Sequence, residues 1–140
     1  MSLIQLIYVS TAKGELVEED MRKILDSSVR RNASQQITGM LLYSERSFMQ
    51  VLEGEPSAVE ETMSRIDKDI RHENILVLSK TKVATREFAN WSMGFRGISA
   101  HDAASWPGYA PFFERGFSAE KMGAKPGLAL KILKTLAPEN

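Results

Sequence analysis

The sequence predicts a single α+β domain in which two helices lie on one face of a largely antiparallel sheet, with a C-terminal segment on the other face. Three observations point there. Residues 3 to 10 form a run rich in β-branched and aromatic types in which both alternating sets are apolar, so this strand belongs to a sheet covered on both sides. Two later stretches, 18 to 32 and 56 to 72, repeat apolar residues at helical spacing. With 140 residues, the chain is long enough for one core of useful size.

The first strand, Leu3 to Ser10, runs into Thr11-Ala12-Lys13-Gly14, a turn signal. It presents Ile4, Leu6 and Tyr8 to one face and Leu3, Ile7 and Val9 to the other. In the first helix, Glu18 to Asn32, acids stand near the start and Arg30-Arg31 near the end, as the helix dipole favours. Ile24, Ser28 and Asn32 fall at i, i+4 and i+8 and share one side of that cylinder. Ile37 to Ser44 and Phe48 to Glu53 read as a hairpin joined by Glu45-Arg46-Ser47, and Gly54 closes the second strand.

Pro56 and Ser57 open a second helix carrying Val59, Thr62 or Met63, Ile66 and Ile70, which should end near Arg71-His72. Ile75 to Val83 reads as a fourth strand. Phe88 to Ile98 reads as a fifth, with Trp91, Met93 and Phe95 on one side. The order βαββαββ is ferredoxin-like, and it places the first and third strands side by side. Beyond Ile98 the composition shifts: four of the five prolines and five of the eleven aromatics (Trp106, Tyr109, Phe112, Phe113, Phe117) fall there. The expected division is therefore a domain over 1–97 and a capping or output segment over 98–140. That segment should carry the missing cover for the second sheet face and a short helix from Gly127 to Leu136.

Composition excludes some classes of function. Eighteen basic side chains balance eighteen acidic ones, for a formal net charge of +0, so the broad attraction that non-specific nucleic-acid or anionic-membrane binding needs is missing. The absence of cysteine rules out disulfides, thiolate metal ligands and a cysteine nucleophile, and two histidines make a poor basis for a metal site. No basic segment precedes the first apolar run, so a soluble, cytoplasmic protein is expected. The sequence contains no G-x-S-x-G, H-E-x-x-H, P-loop or G-x-G-x-x-G, so hydrolysis and phosphoryl transfer lack a recognisable apparatus.

What stands out is polarity where a core is expected. Gln50 shares a strand face with Phe48 and Leu52, and a buried amide left without partners costs about 1 to 3 kcal/mol. Tyr8 holds the matching position in the first strand, and Ser28 and Asn32 lie on the inward stripe of the first helix. Asp69, Arg71 and His72 cluster beside Ile66. Each has a plain structural explanation taken singly: a satisfied core amide, a packed phenol, a solvated helix cap. Together they border one slot between the helices, with apolar walls and a few placed polar groups, the kind of site that takes a small planar ligand.

Tyr8, Asn32 before Ile37-Thr38-Gly39-Met40-Leu41-Leu42-Tyr43, Phe48-Met49-Gln50-Val51-Leu52-Glu53-Gly54, Arg65-Ile66 with Asp69-Ile70-Arg71-His72, and Asn90-Trp91-Ser92-Met93 are in the order and spacing of a BLUF domain, the blue-light sensor using flavin. The likeness runs from about residue 3 to 97 and is specific as a set. The resemblance implies a non-covalent flavin, usually FAD with FMN open, between Ile24 and Ile66. Asn32 would bond the C4 carbonyl and N3 edge. Arg71 and His72 would lie toward the C2 carbonyl with Asp69 steadying them, and Arg65 near ribityl or phosphate oxygens.

The resemblance further implies that Tyr8 gives an electron and proton to the photoexcited flavin, and that Gln50, bridging Tyr8 and the flavin, returns rotated or tautomerised. Trp91 or Met93 would relay the change to the C-terminal segment. Position 31 departs from the pattern, carrying Arg31 where several relatives have asparagine or histidine. With about forty residues beyond Ile98, a short stand-alone member is expected, without an attached cyclase or phosphodiesterase. It would perform no turnover chemistry and would signal to a separate protein, with the surplus aromatics leaving room for a homodimer or larger homo-oligomer. Two alternatives share the βαββαβ frame. An enzyme of acylphosphatase type would need a richer phosphate loop than Thr11-Ala12-Lys13-Gly14, and an RNA-recognition module would need net positive charge and an aromatic R-G-F-G-F strand.

Overall fold

The computed structural model describes residues 2–14, 18–44, 46–97 and 126–136. In chain order these form β1 (Leu3–Ala12), α1 (Glu18–Gln35), β2 (Thr38–Ser44), β3 (Ser47–Gly54), α2 (Pro56–Asp67), β4 (His72–Val83), β5 (Gly94–Gly97) and α3 (Pro126–Leu136). The sheet order is β4-β1-β3-β2-β5, antiparallel throughout except for the parallel pair β2 and β5. This is the ferredoxin-like α+β architecture the sequence predicts.

The two apolar sets of β1 part as their alternation requires. Ile4, Leu6 and Tyr8 join Leu41, Phe48 and Leu52 under Met21 of α1 and Val59 and Met63 of α2. Ile7 and Val9 join Met40, Leu42, Met49 and Val51 on the opposite face, where α3 sets down Ala129, Ile132, Leu133 and Leu136. The last three large side chains of α3 are fully buried. Each contributes about 1.5 to 3 kcal/mol through lost water contact, enough to hold a short helix on the sheet. The aromatics at 106, 109, 112, 113 and 117, expected to share this cover, lie outside the described residues. Among the described residues no helix is long and apolar enough to cross a membrane.

Local chemistry sets where the elements stop. α1 runs a turn beyond its expected end at Asn32, which leaves Arg30 and Arg31 short of the last turn. It closes where Gln36 takes the left-handed conformation (φ 56°). There the N–H of Ile37 reaches back to the carbonyl of Asn32 at 2.8 Å and that of Gln36 to Ala33, the paired bonds of a Schellman cap. The cap fixes Asn32 at the helix end. In the hairpin, Ser44 already pairs with Ser47, so the connection is a residue shorter than predicted, and Arg46 takes positive φ. Only glycine fits at position 39, because a Cβ there would collide with the backbone carbonyl of Val51 on the neighbouring strand.

Two predicted elements are corrected. α2 ends at Asp67, where the N–H of Lys68 turns back to the carbonyl of Arg65 at 3.2 Å and that of Asp69 to the carbonyl of Ile66 at 3.1 Å. Asp69 and Arg71 therefore stand in the connection to β4, and His72 opens that strand opposite Ala12. The fifth strand is confined to Gly94–Gly97. Residues 85 to 93 bend instead of extending, with the N–H of Trp91 bonded to the carbonyl of Phe88. As a result Trp91 and Met93 do not share a side: Trp91 packs in the cluster under α3, and Met93 belongs to the cluster under α1 and α2.

Candidate functional site

A pocket opens between α1 and α2 above the helix-covered face of the sheet. Strand residues Tyr8, Leu41, Phe48, Gln50 and Leu52 form its floor, Ile24, Ser28, Arg31 and Asn32 of α1 one wall, and Thr62, Arg65 and Ile66 of α2 the other, with Arg71 and His72 beside them. The stripe at i, i+4 and i+8 thus faces the pocket as the spacing requires.

The register of three strands builds the polar part of the floor. Gln50 lies in the central strand, opposite Tyr8 on one side and Leu41 on the other. The Tyr8 hydroxyl donates to Oε1 of Gln50, and Nε2 of Gln50 donates to the Met93 sulfur at 3.2 Å. Both ends of the amide are therefore occupied, the donor end by a weak acceptor. Burial pushes the Tyr8 phenol well above the ordinary tyrosine range, and the negative charges of Asp69 and Asp67 push it in the same direction.

Residues 91 to 93 are held by three different elements. The N–H of Gly39 in β2 donates to the carbonyl of Trp91 at 3.1 Å, Nδ2 of Asn32 in α1 donates to the carbonyl of Ser92 at 2.8 Å, and Gln50 of β3 reaches Met93. This segment touches the pocket floor, the α1 wall and the start of β2 at once.

The basic residues are partnered in different ways. Asp69 accepts from the backbone N–H of Arg71 at 2.9 Å and from its guanidinium at 2.6 Å. The hydrogen bond from the Arg71 side chain holds the Asp69 carboxyl below its usual range, and the same contact raises Arg71. Asp69 itself stands behind Arg71, outside the pocket lining. His72 lines the pocket and is held from both ends of its ring: Nε2 donates to the carbonyl of Ile66 at 2.6 Å and Nδ1 meets the Ser10 hydroxyl at 2.8 Å. A carbonyl can only accept, so Nε2 carries a hydrogen. With both nitrogens committed to the protein, His72 is a wall whose ring stands edge-on to Phe48 at 6.2 Å. Arg65 donates to Oε1 of Gln35 at 3.0 Å and lies 3.7 Å from Glu61.

Glu53 closes the Phe48-to-Glu53 strand and has a part that its motif alone does not announce. It is fully buried and accepts from Nε2 of Gln5, the Thr38 hydroxyl, and the backbone N–H groups of Glu87 and Phe88. Its place on the buried central strand is the signal in the sequence, because a carboxylate there needs a full set of donors. Trp91, by contrast, takes no part in the pocket.

The family description "sensors of blue-light using FAD", BLUF, matches residues 3–94. The chain belongs to the BLUF family. It is accordingly a blue-light-sensing, flavin-binding signalling domain. Over 93 residues it is 33% identical to the photoactivated adenylate cyclase subunit beta of Euglena gracilis, an alignment covering 66% of this chain and 11% of that protein. The dark-state structure of BlrB, a BLUF protein, superposes with a TM-score of 0.75 at 29% identity, covering 96% of this chain and 98% of that one. BlsA in its photo-activated state gives 0.80 at 28% identity, covering 99% and 98%. The pocket suits a flavin: Ile24 of α1 and Ile66 of α2 line it as apolar walls, and Gln50, Asn32 and Arg71 bring to it the amide and guanidinium groups that a heteroaromatic ring edge with carbonyls requires.

Proposed function

We propose that this BLUF domain is a photoreceptor in which Tyr8 is the electron and proton donor, Gln50 the switch and Met93 the first relay, signalling to a separate partner protein from the cytoplasm without turnover chemistry. The observation that carries the reading is the continuous chain from Tyr8 through Gln50 to Met93 along the pocket floor. Asn32, Arg71 with Asp69 behind it, and Arg65 would hold the flavin, FAD or FMN, while Ile24, Ser28 and Ile66 confine it. The bound flavin supplies a blue-absorbing ring that accepts an electron once excited.

Tyr8 is fitted to its part because burial keeps it a neutral phenol with its proton already directed at Oε1 of Gln50. On losing an electron the phenol becomes strongly acidic and releases that proton along the existing bond. Gln50 can then exchange its two ends by rotation or tautomerisation, since an amide presents a donor on one side and an acceptor on the other. The exchange removes the N–H now directed at Met93 and offers that sulfur a different neighbour.

Visible spectra of the flavin-loaded protein before and after blue light test this directly. A small reversible red shift is expected in the parent, and its loss in both Tyr8→Phe and Gln50→Ala. A shift that survives in either variant assigns the photochemistry to other residues, and a protein that takes up no flavin ends the reading.

A further inference from the structure

Three arginines, Arg31, Arg65 and Arg71, line the pocket, and no acidic residue is among its lining residues. For a chain of formal net charge +0 this is a local concentration of positive charge. Two of the three are matched by neighbours: Arg71 lies 2.6 Å from Asp69, while Arg65 is tied to Gln35 and stands 3.7 Å from Glu61. Among the described residues Arg31 enters no ion pair. It follows Ile24 by seven positions and Ser28 by three, which places it on the pocket side of α1, and it is exposed where those two are half-buried.

A permanently charged planar donor at the solvent-facing rim of an acid-free pocket suits an anion, and the guanidinium fork suits phosphate in particular. The flavin ring is uncharged along its carbonyl edge, so charge recognition has to fall on the phosphorylated side chain. We propose that Arg31 is a specificity-determining residue that reads the 5′-phosphate, so that this chain prefers FMN and FAD to unphosphorylated riboflavin. The proposal rests on the flavin reading of the pocket and adds a ligand class to it. Arg65 contributes less, because its charge is already shared with Gln35 and Glu61.

The test is a set of binding titrations on the apoprotein with riboflavin, FMN and FAD, followed by flavin fluorescence quenching at low and high salt. The parent should bind FMN and FAD roughly tenfold more tightly than riboflavin, the scale of a partly solvated charge-assisted contact, with the preference shrinking in high salt. Arg31→Gln should cost FMN and FAD far more affinity than riboflavin and so close the gap between them, Arg31→Lys should retain part of the preference, and Arg65→Gln should retain most of it. Equal binding of the three flavins by the parent overturns the proposal. So does a preference that persists in Arg31→Gln, or an equal loss of riboflavin binding in that variant, which would make Arg31 structural. Failure of the parent to bind any of the three is a different result, removing the flavin reading itself.

Discussion

Tyr8 and Asp69 show how placement changes a single side chain, and both changes set a pH dependence. The Tyr8 phenol is raised chiefly by burial, so the folded protein favours its neutral form, whereas an unfolded tyrosine ionises near about 10. The stability tied to Tyr8 is thus complete below about pH 10 and is lost as the pH climbs beyond it. In an alkaline titration followed by tyrosinate absorbance, Tyr8 should stay silent until the fold opens, and folded Tyr8→Phe should show the same number of ionising phenols as the parent. One phenol fewer in the variant while both remain folded would mean that Tyr8 is open to water. Asp69 works in the other direction. Its carboxyl is lowered by Arg71, so its contribution holds above about pH 3.9 and is lost as the pH falls through the folded value. The pair is partly solvated, with Arg71 44% and Asp69 26% exposed, which keeps that contribution modest.

Among elements, the connection between β4 and β5 depends most on one residue. Glu53 gathers Gln5, Thr38 and the N–H groups of Glu87 and Phe88, and Arg86 adds bonds to Thr38 and to the backbone carbonyl of Glu53. Glu53→Ala would strand several buried donors together and should cost at least about 3 kcal/mol in urea unfolding, with Glu53→Gln costing less because it keeps one acceptor oxygen. Amide exchange across residues 86 to 93 should rise first; an unfolding midpoint unchanged in Glu53→Ala would show that packing alone holds the segment. The same network explains what the sequence could and could not disclose. Alternation in β1 and the Ile24, Ser28, Asn32 stripe were legible because each is a local periodicity. The bend at 85 to 93 was not: Phe88, Trp91, Met93 and Phe95 imitate a strand, and what breaks it is a carboxylate more than thirty residues away. The end of α2 failed for a related reason. Ile70 continues the apolar spacing but is 81% exposed, since the chain leaves the helix at Asp67 and His72 is taken into β4 opposite Ala12. The Tyr8 and Gln50 pairing was legible once strand adjacency was assumed, but the commitment of His72 to Ser10 and Ile66 depended on tertiary contacts with no local trace.

At the scale of the molecule, the pocket and α3 occupy opposite faces of one sheet, and the buried strands between them pack too tightly to bend freely. A change in the pocket therefore needs a route around the sheet as well as through it. We propose residues 91 to 93 as that route: Met93 meets Gln50 on the pocket side, and Trp91, two residues earlier, packs against the cluster that holds Ile132, Leu133 and Leu136. Gly39 and Asn32 anchor the backbone between them, so under the proposed mechanism a displacement at Met93 would be passed to Trp91 and not absorbed by a slack loop. Amide exchange of the flavin-loaded protein, dark against illuminated, should accordingly differ at residues 91 to 93 and in α3. Met93→Leu removes the sulfur acceptor while keeping most of the volume, so it should preserve the spectral shift and weaken the difference in α3. Because the route depends on packing contact and not on the chromophore, the spectral and exchange effects should separate in that variant. If α3 exchanges identically in light and dark in the parent, the two faces are uncoupled and the output leaves the domain elsewhere.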